Sequence, residues 1–432
     1  MNDLSISKAF GTSLTGECAD FIELTSAVYL ADRLCKRGSN ALNWSRTLHV
    51  SLPVRIVSTW EDRTALLIRV LQDLTGDTWS FLFTKRTSEL RKSEAQTVLF
   101  SKRLDPPSTS ILFSGGLDSL AGLVRQQREN WNELIAISVL TNKRIAPIQT
   151  ACLAAVQRAF PRAIHHVSVR VALLRKRGTQ HAFDGEERSQ RTRGFLFQAL
   201  GAVTAHAAGV NSLIVPENGI GAINLPYVES QYGTQSGRAA NPLNLRLMSE
   251  LCSSVFGETF AIELPHRPET KGELLHALRD ARLSDAVMRS VSCDKFPQRL
   301  KHTIQCGRCT SCLLRRQSLF QAGLGQHDLG HSYAADVMEP GCNTNDEKWY
   351  HYRVMEDQAE RLDAAIRSAS PEFELINSFP ALAEQFLYSR ATTPGANVLP
   401  PIDLYRRYCA EWRTFHQACS ESQFVDRMHH HG

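Results

Sequence analysis

No apolar run in this 432-residue chain approaches the ~20 residues needed to cross a bilayer, which argues against a membrane-spanning helix. Neither charge dominates. Forty-nine Lys and Arg stand against 44 Asp and Glu, a net +5, so a dedicated nucleic-acid binder is not expected. Basic clusters such as Arg175-Lys176-Arg177 and residues 188–193 are local, and fit a polyphosphate site or a solvated face better than a groove reader. No secretory leader is apparent, and seven of the 11 cysteines are scattered without spacing logic, which points to a reducing cytoplasm rather than a disulfide framework. There is no internal repeat and no obvious Ser/His/Asp or Cys/His nucleophile set. The terminal His429-His430-His431 is set aside from site reasoning. The 43% of hydrophobic residues suffices for more than one core.

What is present is more specific. Ile111-Leu112-Phe113-Ser114-Gly115-Gly116-Leu117-Asp118-Ser119 runs from an apolar β-type stretch through a Gly-rich, Ser-flanked turn into a helical pattern. Two glycines let backbone N–H groups point inward, hydroxyls add donors, and the following helix brings its positive end, so the segment suits an anion with several oxygens. It is neither a Walker loop, since no Gly-Lys-Ser/Thr follows, nor the dinucleotide fingerprint. A plain strand–turn–helix corner is the competing reading. Farther along, Cys306-Gly307-Arg308-Cys309-Thr310-Ser311-Cys312 sets three thiols at two-residue spacing, and Cys293 lies a short loop upstream as a fourth ligand. Four thiolates would hold zinc tetrahedrally and leave no position for a catalytic water, which makes the metal a clamp.

These two motifs in this order, followed by a basic helix over 313–321, resemble the 7-cyano-7-deazaguanine synthase (QueC-like) family of N-type ATP pyrophosphatases. The resemblance spans about residues 108–324. It implies that Ser114, Gly115, Gly116, Leu117, Asp118 and Ser119 bind ATP, with Asp118 coordinating magnesium or capping the helix. Ser189-Gln190-Arg191-Thr192-Arg193-Gly194-Phe195-Leu196-Phe197 resembles an arginine-containing segment near the nucleotide, with Arg193 the best match. Thr270-Lys271-Gly272-Glu273 resembles the family's Lys-x-Glu helix start. It reads equally as a capping box, and Lys271 is placed to reach a phosphate. Where the family carries an acidic Gly-Tyr-Pro-Asp segment, this chain has Glu217-Asn218-Gly219 and then Pro226-Tyr227-Val228-Glu229-Ser230. Glu217, Asn218 and Glu229 are therefore the candidate base-binding residues, with a solvated loop as the plainer reading. Asn142-Lys143-Arg144 is either a phosphate or carboxylate contact or a solvated cationic turn.

Strands at 110–113, 134–140, 164–169, 212–215 and 259–264 alternate with helical patterns at 117–127, 148–159, 195–208 and 243–256. The expected fold is α/β, a parallel sheet with helices on both faces and ligands at the carboxyl ends of its strands. Residues 1–105, with alternating runs at 48–56 and 78–83, read as a β-rich module, 108–325 as the ATP pyrophosphatase domain with its zinc site, and 326–432 as a mostly helical extension.

The resemblance implies an enzyme that forms a C–N bond. ATP, with magnesium, adenylates the carboxylate of a 7-deazaguanine, pyrophosphate leaves, and an amine attacks. Proteins of this kind with long extensions occur in bacterial antiviral gene clusters, including the Qat type. That implies transfer to an amine of a partner protein encoded nearby. The alternatives are an ordinary nitrile synthase using ammonia and a catalytically silent nucleotide-binding scaffold.

Overall fold

The computed structural model describes residues 3–38, 45–95, 108–129, 133–172, 187, 189–227, 237–296, 305–328, 333–340, 342–383 and 402–429. Five strands, β3 (Ser108–Leu112), β4 (Glu133–Leu140), β5 (Ile164–Arg170), β6 (Ser212–Ile214) and β7 (Ala261–Glu263), make a parallel sheet in the order β5-β4-β3-β6-β7. Successive residues of the strands face opposite sides of the sheet. Ile135, Ile137 and Val139 of β4 and Val167 and Val169 of β5 enter one core, while Leu134, Ala136 and Ile111 enter another on the opposite face. That period of two, with both faces apolar, is why the strands read as near-continuous hydrophobic runs. Helices α7 (Arg193–Ala207) and α9 (Pro242–Phe256) cover the first face. Helices α5 (Leu117–Glu129), α6 (Ala146–Ala159), α10 (Lys271–Asp280) and α11 (Ser284–Arg289) cover the second, with α12 (Thr310–Gln321) packed on α10. The expected α/β architecture is thus the observed one.

The N-terminal region departs from expectation. It holds two strands, β1 (Thr47–Val54) and β2 (Thr78–Lys85), paired in parallel from Thr47↔Thr78, but its mass is helical: α1 (Leu4–Phe10), α2 (Gly16–Leu34), α3 (Val57–Thr75) and the short α4 (Lys92–Ala95). "β-rich" is therefore wrong. The alternating runs were the strong local signal, whereas the helical spacing of Trp60, Leu67, Val70, Leu71 and Leu74, the buried face of α3, is diluted by charged residues between. Nor is the region a separate core, because Phe21, Val28, Trp60 and Leu74 share one apolar cluster with Ile135, Phe195 and Met248.

Polar contacts fix the same junction. Asp32 of α2 accepts from the Thr192 amide at 3.0 Å and hydroxyl at 2.9 Å, and so caps α7. Arg37 pairs with Asp77 at 2.6 Å, and Arg191 donates to the Thr75 carbonyl at 2.6 Å. The C-terminal extension is helical as expected. Helices α13 (Tyr350–Ile366), α14 (Pro371–Ser378) and α15 (Ile402–His429) bury Trp349, Tyr352, Leu362, Trp412 and Phe415 together. Residues 381–388, which also carry an amphipathic helical pattern in sequence, fall mostly outside the described residues.

Candidate active site and four-cysteine metal centre

The Gly-rich turn lies at the carboxyl end of the central strand β3. Phe113 N donates to Ile137 O at 2.7 Å, and Ser138 Oγ donates to Phe113 O at 2.7 Å, so the neighbouring strand anchors the turn. Gly115 has φ +84°, a conformation that costs an L residue steric strain, and Val291 N donates to its carbonyl at 3.4 Å. Ser119 Oγ accepts from Gly115 N at 3.2 Å, and Ser114 Oγ accepts from Gly116 N at 3.2 Å. A Cβ on Gly116 would come no closer than 3.4 Å to another atom, so internal packing does not demand glycine there; a bare backbone serves close approach by a ligand. The first-turn amides of α5 lack intrahelical acceptors by geometry. The loop therefore fits a phosphate chain.

Three elements meet at its mouth. Asp118, in the first turn of α5, accepts from Asn218 Nδ2 at 2.8 Å through Oδ1 and forms an ion pair with Lys271 through Oδ2. Lys271 opens α10 and is 8 % exposed. Thr270 and Glu273 form the capping box around it: Glu273 N donates to Thr270 Oγ1 at 3.1 Å, and Glu273 Oε2 accepts from Thr270 N at 2.8 Å. Glu273 also pairs with Arg407 at 2.7 Å, so its role is capping and docking of the C-terminal helix. Asn218 is fully buried. Its Oδ1 accepts from Ile220 N and Gly221 N, which caps α8 (Gly219–Ile223), and its Nδ2 donates to Asp118 and, at 2.9 Å, to Glu217 Oε1. Asn218 thus caps α8 and bridges the two carboxylates. The Glu217 carboxyl is pushed up to about 8, first by burial and next by the Asp118 charge, with Lys271 pulling it back.

The remaining expected residues are placed differently. Arg193 is exposed at the start of α7 with its guanidinium 5.4 Å over the Phe197 ring, apart from the Asp118 cluster. Glu229 lies outside the described residues. Asn142-Lys143-Arg144 lines a cleft of about 460 Å³ at the carboxyl ends of β4 and β5, which Arg170, Val171 and Ala172 complete. The phosphate loop itself packs on α6, where a Cβ on Gly115 would touch Gln149 and Ile148 at 3.2 to 3.3 Å.

The four cysteines converge as expected. The Sγ atoms of Cys293, Cys306, Cys309 and Cys312 are buried and lie within 4.8 Å of one another, with Cys306 and Cys312 4.0 Å apart. Tetrahedral zinc with Zn–S near ~2.3 Å places sulfurs roughly 3.8 Å apart, so the set fits that ion. Amides of Arg308 and Cys309 point at Cys306 Sγ at 3.5 and 3.3 Å, as suits a thiolate. Behind the cluster, the fully buried Arg315 of α12 pairs with Asp328 at 2.7 Å and donates to Ser290 Oγ and Val287 O, both at 2.9 Å. The arginine of this basic helix is structural. It fixes the chain that enters Val291 and Cys293, and Val291 in turn bonds the phosphate loop.

A glycine-rich anion loop at the carboxyl edge of a parallel sheet, backed by a four-thiol clamp, defines a PP-loop nucleotide-binding domain. Residues 109–323 match the family described as "QueC: Queuosine biosynthesis protein QueC". Residues 109–323 are thus similar to the QueC domain, which suggests ATP-dependent, 7-deazaguanine-related chemistry. No curated protein matches the chain significantly. No described helix is long and apolar enough to cross a membrane.

Proposed function

We propose that the chain adenylates the carboxylate of a 7-deazaguanine and passes the acyl group to an amine of a partner protein, in antiphage defence of the Qat type. The meeting of Asp118, Lys271 and Glu217 at the mouth of the Gly-rich loop carries this reading. The loop amides with Ser114 and Ser119 hold the β- and γ-phosphates. Lys271 leaves Asp118 for the α-phosphate and offsets the charge that develops there. A carboxylate oxygen attacks the α-phosphorus, the α–β phosphoanhydride bond breaks, and pyrophosphate departs. Magnesium would be held by Asp118 and would neutralise phosphate oxygens. The amine nitrogen then attacks the acyl carbon, a C–N bond forms, AMP leaves, and the amine's proton passes to solvent. Positioning and electrostatics suffice for these steps, so no side-chain nucleophile is required.

A protein acceptor is favoured over ammonia because a helix beyond the matched domain is built onto the site: Leu404, Arg407 and Glu411 of α15 pack on the turns before α8 and α10. The test is mass spectrometry of the product of a neighbouring gene, produced together with this chain. A mass gain that disappears with Asp118→Asn supports the reading, whereas free nitrile with ammonium as sole acceptor returns the chain to ordinary nitrile synthesis. Unchanged partner function with Asp118→Asn would establish a silent scaffold.

A further inference from the structure

Helix α15 lies outside the matched residues 109–323, yet it touches both helix starts that build the Asp118 cluster. Arg407 pairs with Glu273 Oε1 at 2.7 Å and donates from Nη2 to the Pro268 carbonyl at 2.5 Å. Glu411, one turn on, is 5 % exposed; its Oε1 accepts from Thr270 Oγ1 at 2.5 Å and its Oε2 from Gln317 Nε2 at 3.0 Å. The Thr270 hydroxyl is thereby used twice, accepting from Glu273 N and donating to Glu411. At the other helix start, Gly219 N donates to Glu269 O at 2.9 Å, and a Cβ on Gly219 would fall 2.1 Å from Arg267 O and 2.6 Å from Leu404 Cδ2. Leu404 of α15 thus presses the turn before α8 against the turn before α10.

Docking of α15 alone would be served by apolar residues, and the same helix buries Leu404, Tyr408 and Phe415. A carboxyl among them carries a desolvation cost that only specific hydrogen bonds offset. Both oxygens of Glu411 are spent on the cap of α10 and on α12.

We propose that α15 is a positioning element of the active site, with Glu411 the positioning residue that holds the first turn of α10, and through it Lys271, against Asp118. The proposal rests on the reading of Lys271 as the cation serving the phosphates. Burial, and then the neighbouring Glu273 charge against the pull of Thr270, Gln317 and Arg407, leaves Glu411 titrating at about 7. It is thus a group whose hydrogen bonding, not permanent charge, sets the cap.

The experiment compares Glu411→Ala and Glu411→Gln in the full chain by pyrophosphate release with 7-carboxy-7-deazaguanine. It adds the rate of acetylation at Lys271 against the exposed Lys348, read by mass spectrometry. Glu411→Ala is expected to lower kcat about tenfold or more, with the KM for ATP changed less than about twofold, and Glu411→Gln to return within about threefold of the parent. Lys271 is expected to acetylate several-fold faster in Glu411→Ala while Lys348 is unchanged. Turnover per folded molecule equal to the parent, or equal Lys271 reactivity, overturns the proposal. Should the parent chain release no pyrophosphate, the functional reading fails and Lys271 reactivity alone decides the positioning claim. If Glu411→Ala does not fold, Arg407→Ala, at a half-exposed side chain, is measured the same way with the same outcomes.

Discussion

Burial and the Asp118 charge push the Glu217 carboxyl up to about 8, and the Asp118–Lys271 ion pair stands beside it at the mouth of the loop. On the proposed reading, an arriving phosphate would draw Lys271 from Asp118 and leave Asp118 open to a cation. Asp118→Asn and Lys271→Met should each lower acid-dependent pyrophosphate release by about 10²-fold or more with the fold intact, as checked by steady-state kinetics beside circular dichroism. The raised carboxyl also has a stability consequence. From an ordinary 4.5 to about 8, the folded chain keeps a proton on Glu217 that the unfolded chain has released, so stability falls as pH rises through this window and levels off above it. Urea midpoints at pH 5, 7 and 9 should decline less steeply in Glu217→Gln than in the parent; equal slopes would show that Glu217 is not the titrating group.

At the scale of elements, the four-cysteine cluster and α12 form one support for the phosphate loop. Metal binding is folding energy for such a cluster, so Cys309→Ser should lose about one equivalent of zinc by elemental analysis and melt at lower temperature. Arg315→Ala would leave Asp328 buried without its partner and should cost about 3–5 kcal/mol in chemical denaturation. The local elements were legible in the sequence. Alternation marked β3 to β7, Thr270 and Glu273 announced their capping box, and cysteine spacing located the metal centre. What escaped joins distant residues. Asp32 caps α7 across 160 positions and Glu411 reaches Thr270 across 141, and neither short carboxylate carries a periodic or motif signal. The bonding of Asn218 is hidden for a related reason: an Asn after a strand looks free until the helix it caps and the carboxylates it bridges are in place.

Over the whole molecule, the flanking regions are parts of the catalytic domain's architecture. The N-terminal helices complete the core on one face of the sheet, and α15 presses on the starts of α8 and α10. A fragment of residues 108–325 would expose the apolar surface that Phe21, Val28, Trp60 and Leu74 now cover. It should therefore be recovered aggregated, as size-exclusion chromatography would show, while a soluble monomeric fragment would contradict the shared core. The central claim is adenylation of a deazaguanine acid at the Ser114–Ser119 loop, and ATP–pyrophosphate isotope exchange measures it most directly. Exchange that requires 7-carboxy-7-deazaguanine and vanishes with Asp118→Asn is the predicted result; exchange independent of that acid, or none with it, would contradict the account.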